Sequence, residues 1–125
     1  MESKEYSFAQ QAVHILRQCL SMPGVAKTPD EFYRDGELLV DVLPEPDLSW
    51  QVSEKELASK TAAERKTYND EAKKWADTEV KFTLTEKQRE RVRAVLKKVS
   101  EMDAVANGKY TFAVFKAFGF KPEAA

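Results

Sequence analysis

The chain has 125 residues, 42% of them hydrophobic and 33% charged, with a formal net charge of −1 and one cysteine and one histidine. A chain of this length can bury roughly two-thirds of its unfolded surface around one core, so a single domain over residues 1–125 is expected and wholesale disorder is excluded. Near-neutral charge gives the whole molecule no pull toward nucleic acid or anionic lipid, and Cys19 alone cannot close an internal disulfide.

Ser7 is placed to cap a helix over residues 7–21, in which Phe8, Ala12, Ile15, Leu16, Cys19 and Leu20 recur as one apolar stripe. Pro23-Gly24 ends it, since proline cannot donate to the previous turn. Thr28-Pro29-Asp30-Glu31 is a capping box with proline at the first helical position, which predicts a short helix over 29–35 closed by Gly36. Residues 37–43 then alternate as a strand. Leu38, Val40 and Val42 share one face, and Leu39 and Leu43 flank Asp41 on the other. With Pro44-Glu45-Pro46-Asp47 as the turn, and Leu48, Trp50 and Val52 alternating again, strands 37–43 and 48–52 form a hairpin.

Two further cap patterns, Ser53-Glu54-Lys55-Glu56 and Thr61-Ala62-Ala63-Glu64, predict helix over 53–77 in two pieces with only a thin apolar seam. Val80, Phe82 and Leu84 alternate with charged and polar residues as a strand over 79–84. Thr85 caps a helix over 85–101 whose buried face is Val92, Val95, Leu96, Val99 and Met102. Asn107-Gly108 is a turn, Thr111 begins a helix over 111–118 that Gly119 ends, and residues 121–125 are an expected frayed tail. The fold class is therefore α+β: a two- to three-stranded sheet covered on one face by four to five helices.

The reactive parts are few. Cys19 and His14 lie five residues apart on one expected helix and point in different directions, which argues against a thiol–imidazole pair. Cys19 belongs to the apolar stripe, where a thiol acts as a small hydrophobe. One Cys and one His cannot fill a tetrahedral zinc site, and the four isolated glycines make neither a phosphate loop nor a dinucleotide fingerprint. The acids of residues 30–47 are spread over different elements without calcium-loop spacing, with Asp41 alone expected to be partly buried. No catalytic, cofactor or metal residue is assigned, and no cofactor is expected.

What remains is surface. Residues 1–52 carry four bases against nine acids, and residues 53–101 thirteen bases against ten acids. The acidic region offers Asp35, Asp41, Glu45 and Asp47 as partner-facing residues. Tyr110, Phe112, Phe115, Phe118 and Phe120 fall within eleven residues. The core is the first expectation for these rings, and any part left open, with Tyr110, Phe118 and Phe120 as candidates, marks a partner site. The expected function is a non-enzymatic protein-interaction module, an adaptor, inhibitor or assembly factor, with another protein or a second copy as partner. The alternative is nucleic-acid binding through the basic helix 85–101, with Lys87, Arg91 and Lys98 as contacts. No membrane partner is expected, because no run approaches the roughly 18 apolar residues of a span, and the lone cysteine suits a reducing cytoplasm. In organisation, small, highly charged and built of capped pieces, the chain resembles accessory proteins of bacteria and their phages.

Overall fold

The computed structural model describes residues 3–25, 27–102 and 114–118. It is mostly helical around a two-stranded antiparallel sheet, an α+β fold. In chain order the elements are β1 (Ser3–Ala9), α1 (Gln10–Leu20), α2 (Pro29–Glu37) running into a π-helical turn (Leu38–Val42), α3 (Glu54–Ser59), α4 (Ala62–Asp77), β2 (Glu79–Thr85) and α5 (Glu86–Met102). Residues 114–117 add one short helical turn.

The first strand replaces the expected start of helix 7–21. Tyr6 and Phe8 alternate with Glu5 and Ser7, a period of two, and pair opposite Phe82 and Val80 in the antiparallel register. The Phe8 and Phe82 rings stack with centroids 5.0 Å apart. Ser7 caps no helix; it faces outward and its hydroxyl donates to Glu79 Oε1. The α1 helix begins at Gln10, whose amide donates to the Thr78 carbonyl at 2.8 Å. From there the expected stripe holds, with Ala12, Ile15, Leu16, Cys19 and Leu20 buried together with Val13.

Strand 79–84 is present as β2, with Phe82 and Leu84 buried. A two-stranded ribbon is marginal alone. Its apolar face is covered by α1 and α5, and Phe118 sits on the aromatic layer with centroids 4.1 Å from Phe8 and 5.7 Å from Tyr6. Thr85 caps α5: its hydroxyl accepts from the Gln88 amide at 3.2 Å, while Gln88 Oε1 accepts from the Thr85 amide at 2.9 Å. Val92, Val95, Leu96 and Val99 form the buried face, but Met102 is exposed at the helix end. The 53–77 segment is two helices, each opened by its Ser or Thr cap.

The 37–52 hairpin does not form. Gly36 does not close α2, which runs to Glu37 and widens into the π turn. The Leu43 amide donates to the Leu38 carbonyl at 2.7 Å, a five-residue reach. A run of apolar residues satisfies both periods, and here Leu38 and Leu43 go inward, Leu39 and Val42 pack partly against the core, and Val40 points out. Arg17 Nη1 donates to the carbonyls of Leu39 at 2.8 Å and Leu43 at 3.0 Å, so a cation from α1 satisfies the end of the turn. Residues 48–52 are also not a strand. Leu48, Trp50 and Val52 are half-buried, and Trp50 packs on Tyr68 and Trp75 of α4.

Phe118 is thus a core residue, in line with the first expectation for these rings, and is removed as a partner-surface candidate. Tyr110, Phe120, the Asn107-Gly108 turn and the 121–125 tail lie outside the described residues. Among the described residues, no helix is long and apolar enough to cross a membrane. Removing the Phe118 ring takes the lid from the aromatic layer, so Phe118→Ala is expected to cost about 3–5 kcal/mol in denaturant unfolding.

Candidate interaction surface

Helix α2 is held at its start by two features of its sequence. Pro29 presets the first helical turn, and the Thr28 capping box closes with the Thr28 hydroxyl accepting from the Glu31 amide at 3.2 Å and Glu31 Oε1 accepting from the Thr28 amide at 3.0 Å. Its only buried residue is Asp35. The helix is therefore attached to the body through charge, where most surface helices attach through an apolar stripe.

That charge meets Arg91. Arg91 Nε donates to Asp35 Oδ1 at 2.8 Å and Nη2 to Oδ2 at 3.0 Å, a two-pronged fork, while Nη1 reaches Glu31 Oε2. Lys27 Nζ adds a second cation 2.9 Å from Asp35 Oδ2. Asp35 is 1% exposed and Arg91 8%. Burial pushes the Asp35 carboxyl up, but the hydrogen bonds from Arg91 and Lys27, with their charges, outweigh it and hold the group below its ordinary value. The Asp35 hydrogen bond raises Arg91, and capping by Thr28 lowers Glu31. Gln88 extends the seam, its Nε2 donating to Glu37 Oε1 at 2.7 Å.

With its charged face turned in, α2 turns its apolar face out. Phe32, Tyr33 and Val40 are 71%, 73% and 81% exposed. Together with Pro29 they border an open cleft of about 550 Å³ whose charged residues are Glu37 and Asp41. Gly36 lies in the same stripe, and a Cβ there would meet nothing within 4 Å. Glycine inside a helix costs about 1 kcal/mol relative to alanine, and no packing among the described residues calls for it.

The expected surface residues fall in several places. Asp35 is not partner-facing, because it is the buried anion of the Arg91 cluster. Asp41, expected to be partly buried, is exposed at the cleft margin, since the π turn rotates it outward. Glu45 and Asp47 are exposed; Asp47 Oδ1 accepts from the Ser49 amide at 3.0 Å, and hydrogen bonding from the Ser49 side chain, then from its amide, lowers the carboxyl. Arg91 is lost as a nucleic-acid contact because both prongs of its guanidinium are spent on Asp35. Lys87 and Lys98 are exposed. Arg89 also leans inward, its guanidinium 5.5 Å over the Tyr6 ring and bonded to the Tyr6 hydroxyl. Of the stripe itself, the sequence marks Gly36 only as a helix end, and Phe32 and Tyr33 not at all. The available signal was an aromatic pair as the only large apolar residues of a capped, otherwise polar helix.

The remaining reactive groups serve packing. His14 is half-buried with its ring edge-on to Trp75 at 5.6 Å, and burial, then the Arg17 charge, hold its imidazole below the ordinary value. Burial pushes the Cys19 thiol up to about 11. Among the described residues no three of His, Cys, Asp or Glu gather as a metal set. No family model, curated protein or solved structure matches the chain.

Arg91→Ala leaves Asp35 buried without its main partner and is expected to cost about 3–5 kcal/mol in urea unfolding, against less than about 0.5 kcal/mol for Lys98→Ala. A double replacement, Arg91→Leu with Asp35→Leu, is expected to recover much of that loss. The folded value of Asp35 lies below the ordinary carboxylate value of about 3.9. Its contribution is therefore complete above that pH and is lost as the pH falls through the lower folded value. Urea titrations on acidification are expected to show wild-type stability declining below about pH 4. Asp35→Asn is expected to be weaker at neutral pH with a shallower acid decline.

Proposed function

We propose that the protein works by contact, as a protein-interaction module that binds another protein through the outer face of α2 and the π turn. One observation carries this: Phe32, Tyr33 and Val40 stand in water on one helix face while Asp35 of the same helix is buried. Stranding large apolar side chains while burying a carboxylate opposes ordinary burial preference, and exposed apolar clusters of this kind mark binding surfaces. Aromatic anchors at the centre and charged residues at the margin match the anatomy of protein interfaces. An adaptor, inhibitor or assembly factor acts in this way, and a cytoplasmic setting suits the single buried thiol.

Nucleic-acid binding through α5 has less support, because Arg91 and Arg89 are drawn into internal contacts. Catalysis by carboxylates has less still, because Glu37 and Asp41 border an open cleft, where a desolvated acid–base pair would not be maintained.

A photo-crosslinking residue at Tyr33 or Val40, expressed in the native cell, is expected to capture one discrete protein that the same residue at Lys73 of α4 does not. Phe32→Asp is expected to abolish capture from Val40 while moving stability by less than about 0.5 kcal/mol, since the ring is already solvated. Equal capture from Lys73, or capture that survives Phe32→Asp, would refute the assignment.

A further inference from the structure

The α2 stripe also says what kind of partner fits it. We propose, resting on the interface reading above, that the occupant is an amphipathic helix of another protein that crosses α2 at Gly36 and carries lysine or arginine beside its apolar seam. Two independent observations support this.

The first is the glycine. Gly36 has a helical backbone, so no left-handed conformation requires it, and the space over its Cα is open, so no neighbour among the described residues requires it. It sits between Phe32 and Tyr33 on one side and Val40 on the other, one turn from each. A missing side chain at the middle of an apolar helical stripe makes a notch where a second helix can approach below the usual 8–10 Å spacing. The stripe Pro29, Tyr33, Gly36, Val40 recurs at helical spacing over about 17 Å, a length that the i, i+3, i+4, i+7 anchors of a docked helix match.

The second is charge. The charges of α2 are sorted by the fold. Glu31 and Asp35 are neutralised by Arg91 and Lys27, and Asp30 pairs with Arg34 at 3.1 Å. The cleft is left with Glu37 and Asp41, and among the described residues no base lines it. A partner with cations at its seam margin is complementary. A second copy of this chain is not, because an interface between two such faces gathers four carboxylates with no cation between them. The same two acids oppose an anionic membrane surface, to which interfacial helices bind through lysine and arginine.

The test uses the full-length chain and two synthetic helical peptides of about 18 residues, long enough to hold helix when rich in alanine and leucine. Both present a leucine seam, flanked in one by lysine and in the other by glutamate, and binding is read by fluorescence anisotropy. The lysine peptide is expected to bind about tenfold more tightly than the glutamate peptide, with the preference shrinking at high salt. Asp41→Lys is expected to erase that preference. Gly36→Leu is expected to weaken the lysine peptide by about tenfold or more, through steric closure of the notch. Gly36→Ala is expected to weaken it too while raising the thermal midpoint by a few degrees, a split that a merely structural glycine cannot produce. Equal affinities, undetectable binding of the lysine peptide, or indifference to Gly36→Leu would overturn the proposal. So would a dimer on sizing that Phe32→Asp dissolves, or adsorption to anionic vesicles that Phe32→Asp removes. If capture from Tyr33 persists in cells while the peptide preference is absent, only the helical, basic occupant falls. If capture itself fails, the interface falls with it.

Discussion

The Arg91–Asp35 pair is the contact on which the arrangement of the outer layer depends. A carboxylate at 1% exposure is tolerable only with its charge answered, and Arg91 answers it with a planar fork that leaves little rotational freedom. Such a pair contributes modest net stability, because desolvating both ions offsets most of their attraction, yet removing either partner is severe. Its effect is chiefly on position. It sets which face of α2 meets α5, and so which face is left for solvent.

Consequences run along the chain from there. With Asp35 turned inward, Leu38 one turn later reaches the core, the helix widens so that Leu43 can follow it, and Val40 is carried outward to join Phe32 and Tyr33. Arg17 closes the π turn from α1, and Gln88 ties Glu37 to the first turn of α5. Polar contacts from α1, from α5 and from Lys27 thus hold α2 and the π turn and leave the apolar stripe untouched. An exposed stripe on a loosely tethered helix would collapse onto the nearest apolar surface; here the tether is geometrically specific.

The body beneath is conventional by comparison. A two-stranded ribbon survives because aromatic side chains from both strands stack on one face and α1, α5 and Phe118 cover them. Each strand passes directly into a helix, β1 into α1 and β2 into α5, so the apolar face of the ribbon and the stripes of the two helices are set in phase. The Trp50, Tyr68, Trp75 and His14 rings form a second, smaller cluster that fastens residues 44–53 to α4.

Much of this was written locally. The capping boxes at Thr28 and Thr61, the Ser53 cap, the alternation of Val80, Phe82 and Leu84, and the stripes of α1 and α5 each follow from hydrogen bonds and periodicities within a few residues. Tertiary pairing decided the rest. Residues 3–9 became a strand because β2 offered a partner, and 38–42 became helical where residues 48–52, packed on α4, offered no paired strand, although both segments fit either period. Composition pointed to an acidic, partner-facing region, but could not sort its carboxylates, since whether an aspartate is surface or core depends on an arginine fifty-six residues away. The exposed face of α2 was hidden for the same reason. An aromatic pair in a short polar helix is core by default, and only the ion pair on the opposite side reverses it.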